Sequence, residues 1–75
     1  MFNRTKFKAA LVLRGITQEQ LAQHIGMNPA VLSRKVNGTS DFYRREIAEI
    51  VKALDMTGEE ANEIFFAEEL TETQV

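Results

Sequence analysis

The 75-residue chain has no cysteine and no tryptophan, a single proline, a single tyrosine and a single histidine. Without cysteine it can form neither a disulfide nor a thiolate metal site, which suits a reducing compartment and makes the cytoplasm the expected location. His24 alone, with no second histidine, makes no zinc site and reads as a helix-surface side chain, so neither metal nor cofactor is expected. No apolar run approaches the roughly 18 residues of a membrane span. The opening MFNRTKFKAAL is basic and then apolar, but it lacks the long apolar stretch and small-residue cleavage site of a signal peptide. Glu59, Glu60, Glu63, Glu68 and Glu69 have no partner nucleophile and read as a solvated acidic face, so an enzyme is not expected. A chain this short forms one domain, residues 1–75, and buries only about 60% of the surface its unfolded form exposes. With so thin a core, each helix cap matters.

What the chain does have is a sharply punctuated segment, TQEQLAQHIGMNPAVLSRKVNG, from Thr17 to Gly38. Thr17 is a good N-cap, Gln20 three residues on completes a capping box, and Ile16 and Leu21 are spaced as a hydrophobic staple. Leu21, Ala22 and Ile25 form an apolar stripe, and Gly26 ends the helix in a left-handed conformation open to glycine. Asn28 then caps a second helix with Pro29 in its first turn, where the missing N–H is not needed. Val31, Leu32 and Val36 face inward, and Ser33, Arg34 and Lys35 are expected to point outward. Two short helices joined by a tight turn, spanning about residues 17–37, make a helix-turn-helix.

The rest reads as three further helices and no strand, since nothing alternates with period two. The first runs from about Arg4 to Leu13, capped by Asn3, with Phe2 and Phe7 as a staple and Gly15 as its stop. After the loop NGTSDF, the fourth spans about Tyr43 to Leu54, with an odd cap: Tyr43 stands where Ser, Thr or Asp is expected, unless Ser40 or Asp41 starts the helix earlier. The fifth begins after Thr57, whose capping box Glu60 completes, and continues to about Glu68; residues 70–75 form a polar tail. The apolar stripes predict one core of Phe7, Leu11, Leu21, Ile25, Leu32, Val36, Ile47, Ile50, Val51, Leu54 and Phe65.

The net charge of −2 hides an asymmetry. Residues 1–45 carry eight basic and two acidic residues, +6, and residues 46–75 carry one basic and nine acidic residues, −8. Such a split is what one interacting face and one repelling face would produce, and the basic half contains the helix-turn-helix.

Gln18, Leu21, Ala22, Ile25, Gly26, Val31, Leu32, Ser33, Asn37 and Gly38 together resemble the Cro/repressor type of helix-turn-helix of phage and bacterial regulators. With the flanking helices the resemblance covers nearly the whole chain, and it implies an all-α, five-helix lambda-repressor-like bundle. The opening Met-Phe, the Lys35-Val36-Asn37 run and the closing EIFF are also similar to short phage-encoded members. The resemblance implies double-stranded operator DNA as partner, with the second helix of the motif in the major groove. Its outward residues Asn28, Pro29, Ala30, Ser33 and Arg34 are then the base-reading candidates. Arg34 is the strongest, because a guanidinium can bond both acceptors of guanine. Many members carry long polar side chains where this chain has Pro29 and Ala30, which weakens direct readout. Gln18, at a helix N-terminus that favours anions, carries over as a phosphate contact. Lys35, Asn37, Thr39, Tyr43 and Arg44 are the further phosphate-binding candidates. Some relatives bridge the first and third helices with a buried Arg–Glu pair; here Leu11 and Val36 stand instead.

A regulator of this kind, expected to be a repressor of phage or mobile-element type, would bind DNA as a homodimer. With no separate oligomerisation domain, Ile64, Phe66 and Leu70 are the dimer candidates. The alternative is a protein-interaction module that keeps the fold but binds another regulator through its acidic C-terminal half. A third possibility is the N-terminal part of a longer repressor.

Overall fold

The computed structural model describes residues 2–66, and within them the chain forms five α-helices and no strand. Helix α1 is Arg4–Arg14, α2 Gln18–Ile25, α3 Pro29–Val36, α4 Arg44–Leu54 and α5 Gly58–Phe65. Asn3 caps α1 by accepting from the Lys6 N–H at 3.0 Å. The Asn3 N–H in turn donates to the Ile64 carbonyl at 2.6 Å, which ties the start of the chain to α5. Helix α2 packs on α3 and α4, and α1 packs on α5.

Two expected boundaries shift. Helix α1 runs one residue further than its spacing predicts, to Arg14, because that side chain has work at the helix end. Helix α5 stops at Phe65 rather than near Glu68: Phe66 (φ −133°, ψ 27°) has already left helical geometry. The expected polar tail from residue 70 lies outside the described residues.

The caps follow the sequence pattern with one exception. Thr17 Oγ1 accepts from the Gln20 N–H at 3.0 Å, and Gln20 Oε1 accepts from the Thr17 N–H at 2.9 Å, so that box closes fully. At α5 only half of the expected box forms. Thr57 Oγ1 accepts from the Glu60 N–H at 3.1 Å, but the Glu60 carboxylate turns away to Arg14 (2.8 and 3.1 Å). An arginine fork offers two parallel charge-assisted bonds, and one backbone N–H does not compete with that. Glu60 is therefore half-buried and ion-paired instead of part of a solvated acidic face. Asp55 (φ 54°) ends α4 in the left-handed region without being glycine.

The core is centred on Phe7, Leu21, Leu32, Ile50 and Ile64, each essentially inaccessible. Leu11 and Val36 are both buried. Ile25, Ile47 and Val51 lie at the core's margin, while Ala10, Ala22, Met56 and Ile64 join it. Phe2, Phe42 and Phe65 form a second aromatic layer, with ring centroids 5.0–5.5 Å apart. Phe2 also sits 5.3 Å from Phe7, as a staple should. On the outer side of α1, Val12 and Leu13 remain about four-fifths exposed.

Candidate nucleic-acid interface

The α2–α3 pair is held by its turn. Gly26 adopts φ 74°, a conformation that costs glycine nothing. The Met27 N–H then reaches back to the Ala22 carbonyl at 2.8 Å and closes the end of α2. Asn28 Oδ1 accepts from the Ala30 N–H at 2.8 Å, and Pro29 opens α3. Ala22 is fully buried. Leu32 and Val36 are buried from α3, so both helices bury their apolar stripes and α3 turns its other face outward.

That outward face carries Asn28, Pro29, Ala30 and Arg34, all exposed, with Ser33 half-buried beside them. One acceptor site of the Asn28 oxygen is engaged in capping, and its amide NH₂ remains as a donor for an external partner. Gln18 is half-buried at the start of α2. The backbone after α3 folds back on the helix end: the Thr39 N–H donates to the Arg34 carbonyl at 2.9 Å. Thr39 and Tyr43 are exposed on either side of this loop. Arg44, also exposed, lines a shallow depression with Phe42, Ile47 and Phe66.

Lys35 departs from expectation. It was expected to point outward toward phosphate, but its side chain is only 6% exposed. Its ammonium donates to the Asp41 carbonyl at 3.0 Å and to Glu46 Oε1 at 2.9 Å. It also lies 4.1 Å from the centroid of the Tyr43 ring. The aliphatic stem buries against the bundle while internal acceptors satisfy the charge, which the helical spacing of α3 alone does not reveal. Glu46 Oε1 accepts in addition from the Tyr43 N–H at 2.8 Å, which resolves the odd cap of α4: Glu46 serves Tyr43 from three residues ahead. Burial pushes the Glu46 carboxyl up, but the Tyr43 N–H and the Lys35 ammonium more than offset it, so its pKa lies below the ordinary glutamate value.

Arg4 is a residue that sequence reading missed. Its Nη1 donates to Asn37 Oδ1 at 3.2 Å, which brings α1 beside the phosphate candidate Asn37 at the end of α3. A faint signal existed: Arg4 stands in the first turn of a helix with no acidic residue there, an unfavourable place for a cation. Arg4 and Asn37 border an open cleft of about 420 Å³ floored by Phe2, Val36 and Phe42.

Of the dimer candidates, Ile64 is 2% exposed and belongs to the core, because the inward face of α5 packs on α1. Phe66 is 38% exposed. Leu70 lies outside the described residues. No group of three or more potential metal ligands occurs among the described residues, and no helix there is long and apolar enough to cross a membrane.

A family model for the Cro/C1-type HTH DNA-binding domain matches residues 6–66. The chain belongs to this family, and its all-α fold with an embedded helix-turn-helix supports a DNA-binding regulator. No curated protein and no solved structure gives a significant match.

Proposed function

We propose that the chain is a transcriptional repressor of phage or mobile-element type that binds operator DNA as a homodimer, with α3 in the major groove. The observation that carries this reading is the exposed face of α3. Arg34 is exposed on it, while Leu32 and Val36 are buried on the opposite face. Arg34 reads guanine; Asn28, Pro29, Ala30 and Ser33 add the smaller contacts, with Pro29 and Ala30 limited to apolar packing on thymine methyl groups. Gln18, Asn37, Thr39, Tyr43 and Arg44 hold phosphates and set the register without carrying sequence information. Arg4 joins them through Asn37. One short reading helix gives too few base contacts for tight recognition, and a two-fold pair spaced about 34 Å would read an inverted repeat.

The test is binding to random and selected duplexes over a range of salt concentrations, with stoichiometry on the best site. Affinity falling on the order of 10³-fold between 50 and 200 mM salt is the expected result. Selection of a symmetric sequence bound by two copies supports the dimer; one copy on a site without symmetry overturns it. An affinity indifferent to salt would favour an interaction module whose acidic C-terminal half binds another regulator.

A further inference from the structure

We propose that Lys35 is a positioning residue: an internal strut that sets the α3–α4 loop, and through it Tyr43 and Arg44, for the DNA backbone, while making no phosphate contact itself. This rests on the DNA-binding reading above.

The geometry argues for it in three steps. Lys35 is buried on the last turn of the reading helix, yet both of its hydrogen-bond partners lie beyond that helix. The Asp41 carbonyl belongs to the loop and the Glu46 carboxylate to α4, so one ammonium joins three consecutive pieces of chain. Glu46 Oε1 shares itself between Lys35 and the Tyr43 N–H, so the strut ends on the residue that opens α4. The Tyr43 ring covers the ammonium at 4.1 Å and remains 63% exposed on its outer side. A cation below the ring fixes its plane. Desolvation offsets much of the attraction within a buried pair, so its net stability is small. What the pair does span is the gap between the end of α3 and the start of α4, and as a strut it sets that spacing.

Charge logic separates a strut from a phosphate ligand. Removing Lys35 makes the protein one unit more negative, and neutralising Glu46 makes it one unit more positive. If only the field or a direct phosphate contact mattered, K35M would weaken DNA binding and E46Q would strengthen it. A strut is weakened by either change: K35M removes the donor, and E46Q keeps an acceptor oxygen but loses the charge that strengthens its bonds to Lys35 and to the Tyr43 N–H. Both variants should therefore weaken binding to a random duplex, on the order of tenfold each, and the double variant should be no weaker than either single one. In free protein, amide exchange at Tyr43 should speed up in both, while amides of α2 keep their protection. Ile50→Val, a core change at a fully buried site in α4, controls for lost stability and should leave affinity unchanged.

The experiment measures affinity for wild type, K35M, E46Q, the double variant and I50V, with Tyr43 amide exchange on each. E46Q is isosteric and keeps the question open to test should K35M fold poorly. E46Q binding as tightly as wild type or tighter, additive losses in the double variant, or unchanged Tyr43 exchange would each overturn the strut. A wild-type chain that binds no duplex would instead refute the DNA-binding reading, and the exchange data would still decide whether Lys35 orders the loop.

Discussion

Replacing Arg14 by alanine should cost the domain a sizeable part of its stability, because this one side chain joins three helices. At the end of α1 this guanidinium donates from Nε to the Leu54 carbonyl at 2.6 Å and from Nη1 to the Ala10 carbonyl at 3.1 Å. It also forks onto both oxygens of Glu60. The two side chains are 23% and 30% exposed. Exposed pairs contribute about 0–1 kcal/mol, whereas removing one partner of a buried pair costs about 3–5 kcal/mol. Arg14→Ala should fall between, at about 2–3 kcal/mol, because it strands both the Glu60 carboxylate and the last carbonyl of α4. Glu60→Ala leaves Arg14 bonded to Leu54 and Ala10 and lets water reach it, so about 1 kcal/mol is expected. For a domain whose whole stability is about 4–11 kcal/mol, the first change is severe and the second tolerable. Urea unfolding followed by far-UV circular dichroism measures both. A loss below about 0.5 kcal/mol for Arg14→Ala, or equal losses for the two, would show that the three-helix clasp is not what holds α1, α4 and α5 together.

Gly26→Ala meets no atom within 4 Å of its new Cβ, so its cost is purely conformational; about 1–2 kcal/mol is expected in thermal or urea unfolding. Arg34→Ala should cost about 1–3 kcal/mol of binding and relax preference at one base position per half-site, while Gln18→Ala should weaken all sequences equally; binding selections on both variants separate the two. The pKa of Glu46 is lowered on folding, so its contribution is complete above the ordinary glutamate value and is lost as the pH falls through the lower folded one. Stability measured across that acid range should fall less steeply in Glu46→Gln than in wild type.

The elements that were legible in the sequence are those whose signals are local. Thr17 with Gln20, Gly26, and Asn28 with Pro29 each fix one helix end within four residues: α2 begins and ends, and α3 begins, where they indicate. The interface candidates on α3 follow from the helix wheel, because Leu32 and Val36 define the buried face and leave Arg34 opposite. Side chains that reach across elements were not legible. Lys35 sits on the wheel between an exposed Arg34 and a buried Val36, and only the position of Glu46, eleven residues away, decides which way it goes. Glu60 fits a capping box by spacing, and only the fold brings Arg14, forty-six residues earlier, within reach of its carboxylate. Ile64 and Phe66 were equivalent as candidates for a partner surface until the packing of α5 on α1 placed Ile64 inside.

The same cross-element pairs revise what the charge split means for DNA. The sequence divides into a +6 first part and a −8 second part, as though two separate faces existed. In the fold the parts interlock: Lys6 meets Glu63 at 3.5 Å, Arg14 meets Glu60 at 2.8 Å, and Lys35 meets Glu46 at 2.9 Å. Three of the eight early cations are thus matched by late glutamates, and the field that reaches a duplex is smaller than the half-chain sum. On the proposed homodimer, counting Arg4, Arg34 and Arg44 as the cations of each protomer that would face phosphate or groove gives about six per dimer. Counterion release then predicts a slope of log K against log salt of about −5. Were all eight cations of each copy engaged, the slope would be about −14. Arg14→Gln should leave the slope unchanged, since that charge is already matched internally, whereas Arg44→Gln should make it shallower by about two units per dimer. A slope that responds equally to both substitutions would show that the internal pairs open on DNA and that the charge split, not the fold, sets the interface.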